Sequence, residues 1–162
     1  MGSLTFEVKE FIENNIDLIE DRAWDQIYDN ARFTLDSEST GRFTLAMLDI
    51  GEDPLEYLDY IPEYYLSDAK IDSFIIPDHI LELSEGCFSY SSLKEIVIPY
   101  SVTTIGMYSF YDCPQLKRVV IPPTVQNIEG NSFYLFDGVI VCKEGSAAEI
   151  YAINCNIDVE YY

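Results

Sequence analysis

Residues 93–115 read Leu93-Lys94-Glu95-Ile96-Val97-Ile98-Pro99-Tyr100-Ser101-Val102-Thr103-Thr104-Ile105-Gly106-Met107-Tyr108-Ser109-Phe110-Tyr111-Asp112-Cys113-Pro114-Gln115. An Ile-Pro step, Ile98-Pro99, is followed eleven residues after the proline by Phe110. The same spacing recurs on both sides, where Ile76-Pro77 precedes Phe88 and Ile121-Pro122 precedes Phe133. Successive prolines lie 22 and 23 residues apart, and so do successive phenylalanines. A period in that range predicts a solenoid of stacked coils, here over residues 71–92, 93–115 and 116–137. Alignment on the prolines puts apolar residues into columns: Phe74, Ile96 and Val119; Ile76, Ile98 and Ile121; Ile80, Val102 and Val125; Leu83, Ile105 and Ile128; then the three phenylalanines. One coil cannot bury its own apolar face, so neighbours must stack to make the core. Each proline ends a strand segment, because it has no N–H to donate.

Coil two carries Leu93, Ile96, Ile98, Pro99, Val102, Ile105, Gly106, Phe110 and Cys113 in order. With these residues the chain resembles the BspA-type leucine-rich repeat family over roughly residues 71–162. Coil three departs by Glu129 for the glycine and Phe136 for the cysteine; coil one departs by Ser84 for the glycine and is one residue shorter. The resemblance implies parallel strands stacked into a short curved sheet, with a terminal cap over residues 138–162. In that cap, Val139-Ile140-Val141 forms a strand, Gly145 to Glu149 opens a short helix through Tyr151 and Ala152, and Ile157-Asp158-Val159 closes the sheet.

Residues up to 69 lack the period. Phe6, Val8, Phe11, Ile12, Ile16 and Ile19 recur at helical spacing and predict a first helix. Asp21 reads as the cap of a second, carrying Trp24, Ile27, Tyr28 and Ala31. Asp36 to Gly41 reads as a loop, followed by a third helix through Phe43, Leu45, Met47 and Leu48 that stops near Gly51. Asp53-Pro54 reads as the opening of a fourth, tyrosine-rich helix holding Leu55, Tyr57, Leu58 and Tyr60. The expected fold is α+β: a helical N-terminal cap domain over residues 1–69 and a solenoid over residues 70–162. An uncovered solenoid end pairs edge to edge with copies of itself, so residues 71–162 alone are expected to aggregate.

Twenty-nine Asp and Glu face nine Lys and Arg, a formal charge of −20. Such a chain repels nucleic acid and anionic membrane and attracts basic surfaces. No apolar run is long enough to span a bilayer, and Met1-Gly2-Ser3 does not resemble a targeting segment. Cys87, Cys113, Cys142 and Cys155 form no Cys-x-x-Cys pair and read as reduced thiols. His79, the single histidine, shares its repeat position with Ser101 and Thr124 and reads as a turn residue. No phosphate loop or nucleophile elbow is present. No catalytic residue, cofactor or metal is expected, and the chain reads as a non-enzyme in the cytoplasm of a bacterial or phage-infected cell.

Two surfaces are candidates for partner binding. The acidic one comprises Glu10, Glu13, Asp17 and Glu20, expected on one face of the first helix; Asp21, Asp25 and Asp29 on the second; and Asp49, Glu52, Asp53, Glu56 and Asp59 beyond. Like charges at helical spacing repel. They serve either solubility or a negative ridge that imitates a nucleic-acid backbone in a basic groove. Tyr57 and Tyr60, with Tyr64, Tyr65, Tyr90, Tyr108 and Tyr111, add contact area and cation–π partners for arginine. The other surface is the outward strand column Ile75, Val97 and Val120, flanked by Lys94, Glu95, Lys117 and Arg118. That stripe is either a docking surface or a face that the helical half covers. The leading expectation is a non-catalytic protein that engages a basic partner, such as a nucleic-acid-binding protein or nuclease. Phage-encoded anti-CRISPR and other anti-defence inhibitors are similar in size and charge, with no sequence match behind the comparison. A cell-surface adhesion module, a carbohydrate-binding or hydrolytic protein, and an assembly role for the stripe are the alternatives.

Overall fold

The computed structural model describes residues 4–162; the reading of Met1-Gly2-Ser3 lies outside the described residues. Helix α1 spans Phe6–Asn14, with the Thr5 hydroxyl accepting from the Val8 N–H. The first helix does not continue to Ile19 as expected. Asn15 leaves helical geometry at φ −118°, and a separate short helix α2 follows over Ile16–Glu20. Asn15 is buried; its Nδ2 donates to the Phe11 carbonyl (2.8 Å) and its Oδ1 accepts from Asn30 Nδ2 (2.7 Å). A satisfied buried amide at this point ties the break to helix α3, Trp24–Thr34. Asp21 does not cap α3: Arg22 turns at φ +53° and Ala23 precedes the helix.

The expected loop at Asp36 to Gly41 is the start of helix α4, Ser37–Asp49. The Asp36 carboxylate accepts from the Ser39 N–H at 2.8 Å, so these polar residues cap a helix rather than interrupt one. Gly41 lies against the Ser67 backbone, where an added Cβ would come within 2.0 Å of the carbonyl oxygen. That close approach seats α4 on the solenoid.

The fourth helix is absent. Pro54–Glu56 is one turn of 3₁₀ helix, started by the Asp53 carboxylate accepting from the Leu55 N–H. The chain then forms strand β1, Tyr60–Ile61. β1 pairs in parallel with β2, Glu82–Leu83, matching Tyr60 to Glu82 and Ile61 to Leu83. The turn beyond β1 is bonded to the next coil by Tyr64 N–H to Glu85 O (3.0 Å), Leu66 N–H to Cys87 O (2.8 Å) and Asp68 N–H to Ser89 O (2.9 Å). The ladder therefore opens at Tyr60, and the expected boundary between residues 69 and 70 falls inside it. The physical reason is register: Ile61 and Leu66 stand one period before Leu83 and Phe88 and fill the same inward places.

The remaining strands are β3 (Glu95–Val97), β4 (Thr104–Ile105), β5 (Arg118–Val120), β6 (Asn127–Ile128), β7 (Val139–Cys142) and β8 (Asp158–Tyr161). They form two parallel sheets, ordered β1-β2-β4-β6 and β3-β5-β7-β8. Each coil bends through two left-handed residues at repeating positions. One series is Tyr64, Gly86, Tyr108 and Asn131; the other is Asp68, Tyr90, Asp112 and Leu135. Helix α5, Ala147–Asn154, is capped by the Ser146 hydroxyl, and β8 closes the second sheet beside β7, as the resemblance implied.

The three phenylalanines line up as the period requires. Phe88 and Phe110 stack at 5.4 Å and 13°, and Phe110 and Phe133 at 5.0 Å and 9°. The stack runs on through Phe74, Tyr65, Tyr28, Phe43 and Phe11 into the helices, each ring within 6.4 Å of the next. At the other end it meets Phe136 and Tyr151. One aromatic spine therefore joins the N-terminal helices, the coils and the C-terminal cap.

Candidate binding surfaces

The acidic residues separate into four groups. Glu10 and Glu13 are exposed on α1, while Asp17 and Glu20 are exposed on α2, so the break at Asn15 dissolves the single helix face expected for them. Asp21, Asp49, Glu56 and Tyr57 are exposed singly at turns and helix ends. Glu52 and Asp53 are engaged within the chain: Arg22 donates to both Glu52 oxygens at 3.2 Å, and Asp53 caps the 3₁₀ turn.

Asp25, Asp29 and Asp59 do converge, around Tyr60. Burial raises the Tyr60 phenol pKa first, and the charges of Asp25, Asp29, Asp59 and Glu63 raise it further. Glu63 is held above the usual carboxylate range by burial, with Glu85 and Asp29 adding to the effect and Arg32 (3.4 Å) opposing it. Glu82 stands beside Tyr60 in register on β2. Sequence reasoning missed Glu63, Glu82 and Glu85. The signal was available, since Glu85 follows Glu63, and Glu82 follows Tyr60, by one 22-residue period.

These raised carboxylates have a consequence for stability. Folding favours the protonated forms of Glu63 and Asp68, the latter raised chiefly by burial. Their contribution is lost as pH rises through their folded pKa values and regained as pH falls toward the carboxylate range. The melting temperature is expected to be higher at about pH 5 than at about pH 7. Glu149 and Glu160 are lowered, by the Tyr161 hydroxyl and by Arg118 respectively, and reverse the trend at still lower pH. A melting curve series by circular dichroism checks this; a monotonic fall from neutral pH downward would contradict it.

A second group of side chains adjoins this cluster through Tyr64, whose hydroxyl donates to Glu85 Oε1 at 3.1 Å. Tyr111 stands at its centre. Tyr134 stacks on Tyr111 at 5.1 Å and 13°, and Tyr90 and Tyr108 meet it edge-on at 5.4 and 5.5 Å. Leu35, Asp36 and Ser37 face these rings across a cleft of about 610 Å³. Tyr134 was not among the expected contact residues. Tyr65 was, and it is fully buried in the spine instead.

Val97 and Val120 lie on β3 and β5 of the second sheet, whereas Ile75, expected in the same strand column, lies outside any strand and only lines the same groove. Ile75 is 89% and Val97 61% exposed, so the helical half does not cover them. Tyr100, Val141 and Tyr162 complete a shallow apolar groove of about 900 Å³. The flanking cations are paired: Lys94 with Asp72 (2.7 Å), Lys117 with Asp137 (3.2 Å) and Arg118 with Glu160 (2.7 Å).

His79 Nε2 lies 2.7 Å from the Leu55 carbonyl and braces the 3₁₀ turn. Cys87, Cys113 and Cys142 are buried free thiols whose pKa values burial raises, which suppresses the reactive thiolate. Among the described residues no group of three or more His, Cys, Asp or Glu could hold a metal ion, and no helix is long and apolar enough to cross a membrane.

A sequence model of the BspA type Leucine rich repeat region matches residues 54–139 in six copies. The chain belongs to the BspA-type leucine-rich repeat family. The BspA-type match opens at Pro54, at the 3₁₀ turn that leads into β1, and so includes the coil hidden behind its tyrosines. No curated protein and no solved structure matches the chain. Leucine-rich repeats generally mediate protein binding and are generally non-catalytic, and the solenoid of this BspA-type chain is consistent with a protein-binding module.

Proposed function

We propose that this BspA-type solenoid is a non-catalytic binding module whose acidic, tyrosine-bearing face docks on a basic protein surface. The convergence of Asp25, Asp29, Asp59, Glu63 and Glu85 around Tyr60 and Tyr64 carries the proposal. Arg32 lies beside that cluster, and Glu63 already engages it. Carboxylates spaced over helix α3 and two coils suit a groove lined by Lys and Arg, of the kind that otherwise holds a nucleic-acid backbone. In this reading the protein blocks that groove, as an inhibitor of a nucleic-acid-binding protein or nuclease in the cytoplasm of a bacterial or phage-infected cell.

The test begins with capture of a partner from the source cell, followed by measurement with the purified partner. Affinity is expected to fall at least about tenfold between roughly 50 and 300 mM salt, because the Debye length shortens to a few ångströms. The triple variant Asp25→Lys, Asp29→Lys, Asp59→Lys is expected to abolish binding, and a short nucleic-acid duplex to compete with the wild-type chain. An affinity indifferent to salt and to charge reversal would overturn the proposal.

A further inference from the structure

The acidic face attracts any cation, and the tyrosine cluster adjoins it through Tyr64. Its walls carry Asp36 and no Lys or Arg, and Tyr64 leads from it to Glu85. Asp112 lies close enough to Tyr111 to raise its phenol pKa, after burial and the neighbouring phenols Tyr90 and Tyr134. Tyr90 and Tyr134 are 43% and 48% exposed, so aromatic surface stays open at both ends of the cluster. The rings come from three successive coils, and the backbone holds them in place. Tyr90 and Tyr108 both occupy left-handed positions, φ +58° and +59°. Bulky residues are uncommon in that conformation. At the equivalent position of Tyr108 the other coils carry Tyr64, Gly86 and Asn131, and only the middle of the solenoid gathers four rings within stacking distance.

We propose that this tyrosine cluster makes the binding face selective for arginine over lysine, by stacking a partner's guanidinium on the open faces of Tyr134 and Tyr90 while the nearby carboxylates take its N–H groups. The proposal rests on the acidic-face reading above. A guanidinium is flat, weakly hydrated and presents a fork of donors at its edge, so it stacks and pairs at once. An ammonium is compact and strongly hydrated and gains little from a ring face that leaves it half in water. A cleft of aromatic planes bordered by carboxylates therefore separates the two cations, which plain negative charge does not.

The experiment uses the full chain and two labelled peptides of equal length and charge, one of arginine and one of lysine, titrated by fluorescence anisotropy. The arginine peptide is expected to bind about tenfold more tightly. Tyr134→Leu, at the exposed end of the cluster, is expected to bring arginine binding down to the lysine level and leave lysine binding unchanged. Tyr111→Leu should do the same, with far-UV circular dichroism confirming the fold. Asp25→Lys with Asp29→Lys should weaken both peptides alike. Equal affinity of the two peptides for the wild-type chain overturns the selectivity and leaves the acidic-face reading standing. Failure of both peptides to bind overturns both. A preference that survives Tyr134→Leu and Tyr111→Leu overturns the role given to the tyrosines, as does a cluster that binds a glycan panel and shows no arginine preference.

Discussion

Phe110→Ala is expected to lower the free energy of unfolding by about 3–5 kcal/mol. Phe110 is fully buried and sandwiched by near-parallel rings on both sides, Phe88 at 5.4 Å and Phe133 at 5.0 Å. Truncation removes the transfer free energy of one ring and leaves a cavity whose walls are themselves stacked, so neither neighbour can tip inward without losing its other partner. Domains of this size have about 5–15 kcal/mol in total, so the variant gives up a large share of its stability. The position of the loss matters as much as its size. Trp24 is buried in α3, the helix that contributes Tyr28 to the spine. Urea unfolding followed by Trp24 fluorescence reports on the helices, and circular dichroism reports on the whole chain. Both midpoints are expected to move together in Phe110→Ala, because the spine couples helices to coils. Phe110→Leu keeps most of the apolar volume and should lose much less. A Trp24 transition that stays in place while the circular dichroism transition falls would show that the two halves unfold separately.

Residues 71–162 produced alone are expected to form soluble aggregates or precipitate. Cutting there removes β1, leaving β2 with a bare parallel edge. It also removes Tyr64, Leu66 and Asp68, whose N–H groups satisfy the carbonyls of Glu85, Cys87 and Ser89. Tyr65 goes with them, uncovering Phe74 and through it the face of Phe88. The end of the coil stack thus acquires both unpaired backbone and apolar surface, which together favour association with a second copy. Light scattering against concentration measures it. A monodisperse, monomeric fragment with a folded circular dichroism spectrum would contradict this account of the N-terminal segment as a cover.

The coil stack was legible in the sequence because its signal is redundant. Five columns repeat in three registers, and the Phe88, Phe110 and Phe133 stack follows from any two of them. The first coil escaped notice because its side chains depart from the pattern while its backbone obeys it. Leu66 stands where Phe88 stands, Tyr65 where Cys87 stands, and the Ile-Pro step is missing upstream of Ile61. Tyr57, Tyr60, Tyr64 and Tyr65 then read as one run, though they go to different places: Tyr57 outward, Tyr60 among the acids, Tyr64 over Gly86, and Tyr65 into the core. The helix errors have a common cause. Asn15 and Asp36 are polar residues whose roles depend on their partners, Asn30 for one and the Ser39 N–H for the other, and composition cannot distinguish a loop from a cap or a bonded kink. The charged site was half legible for a similar reason. Spacing along helices grouped Glu10 with Glu20, but the grouping that forms, Asp25 and Asp29 with Asp59, Glu63 and Glu85, crosses from α3 to two coils.

The paired left-handed residues of each coil bear on how such a chain can change length. Both bends recur at the same point of every turn, and each turn's N–H groups reach one coil onward, so the stack has no unique middle. A tandem duplication of residues 93–115 would slide in as one more layer, adding about 4.8 Å to the long axis while leaving both end covers intact. It would also carry a second copy of Tyr108 and Tyr111, widening the aromatic footprint in step with the scaffold. Growth by whole layers lets the reach of the molecule be tuned to a larger partner without redesigning its interior.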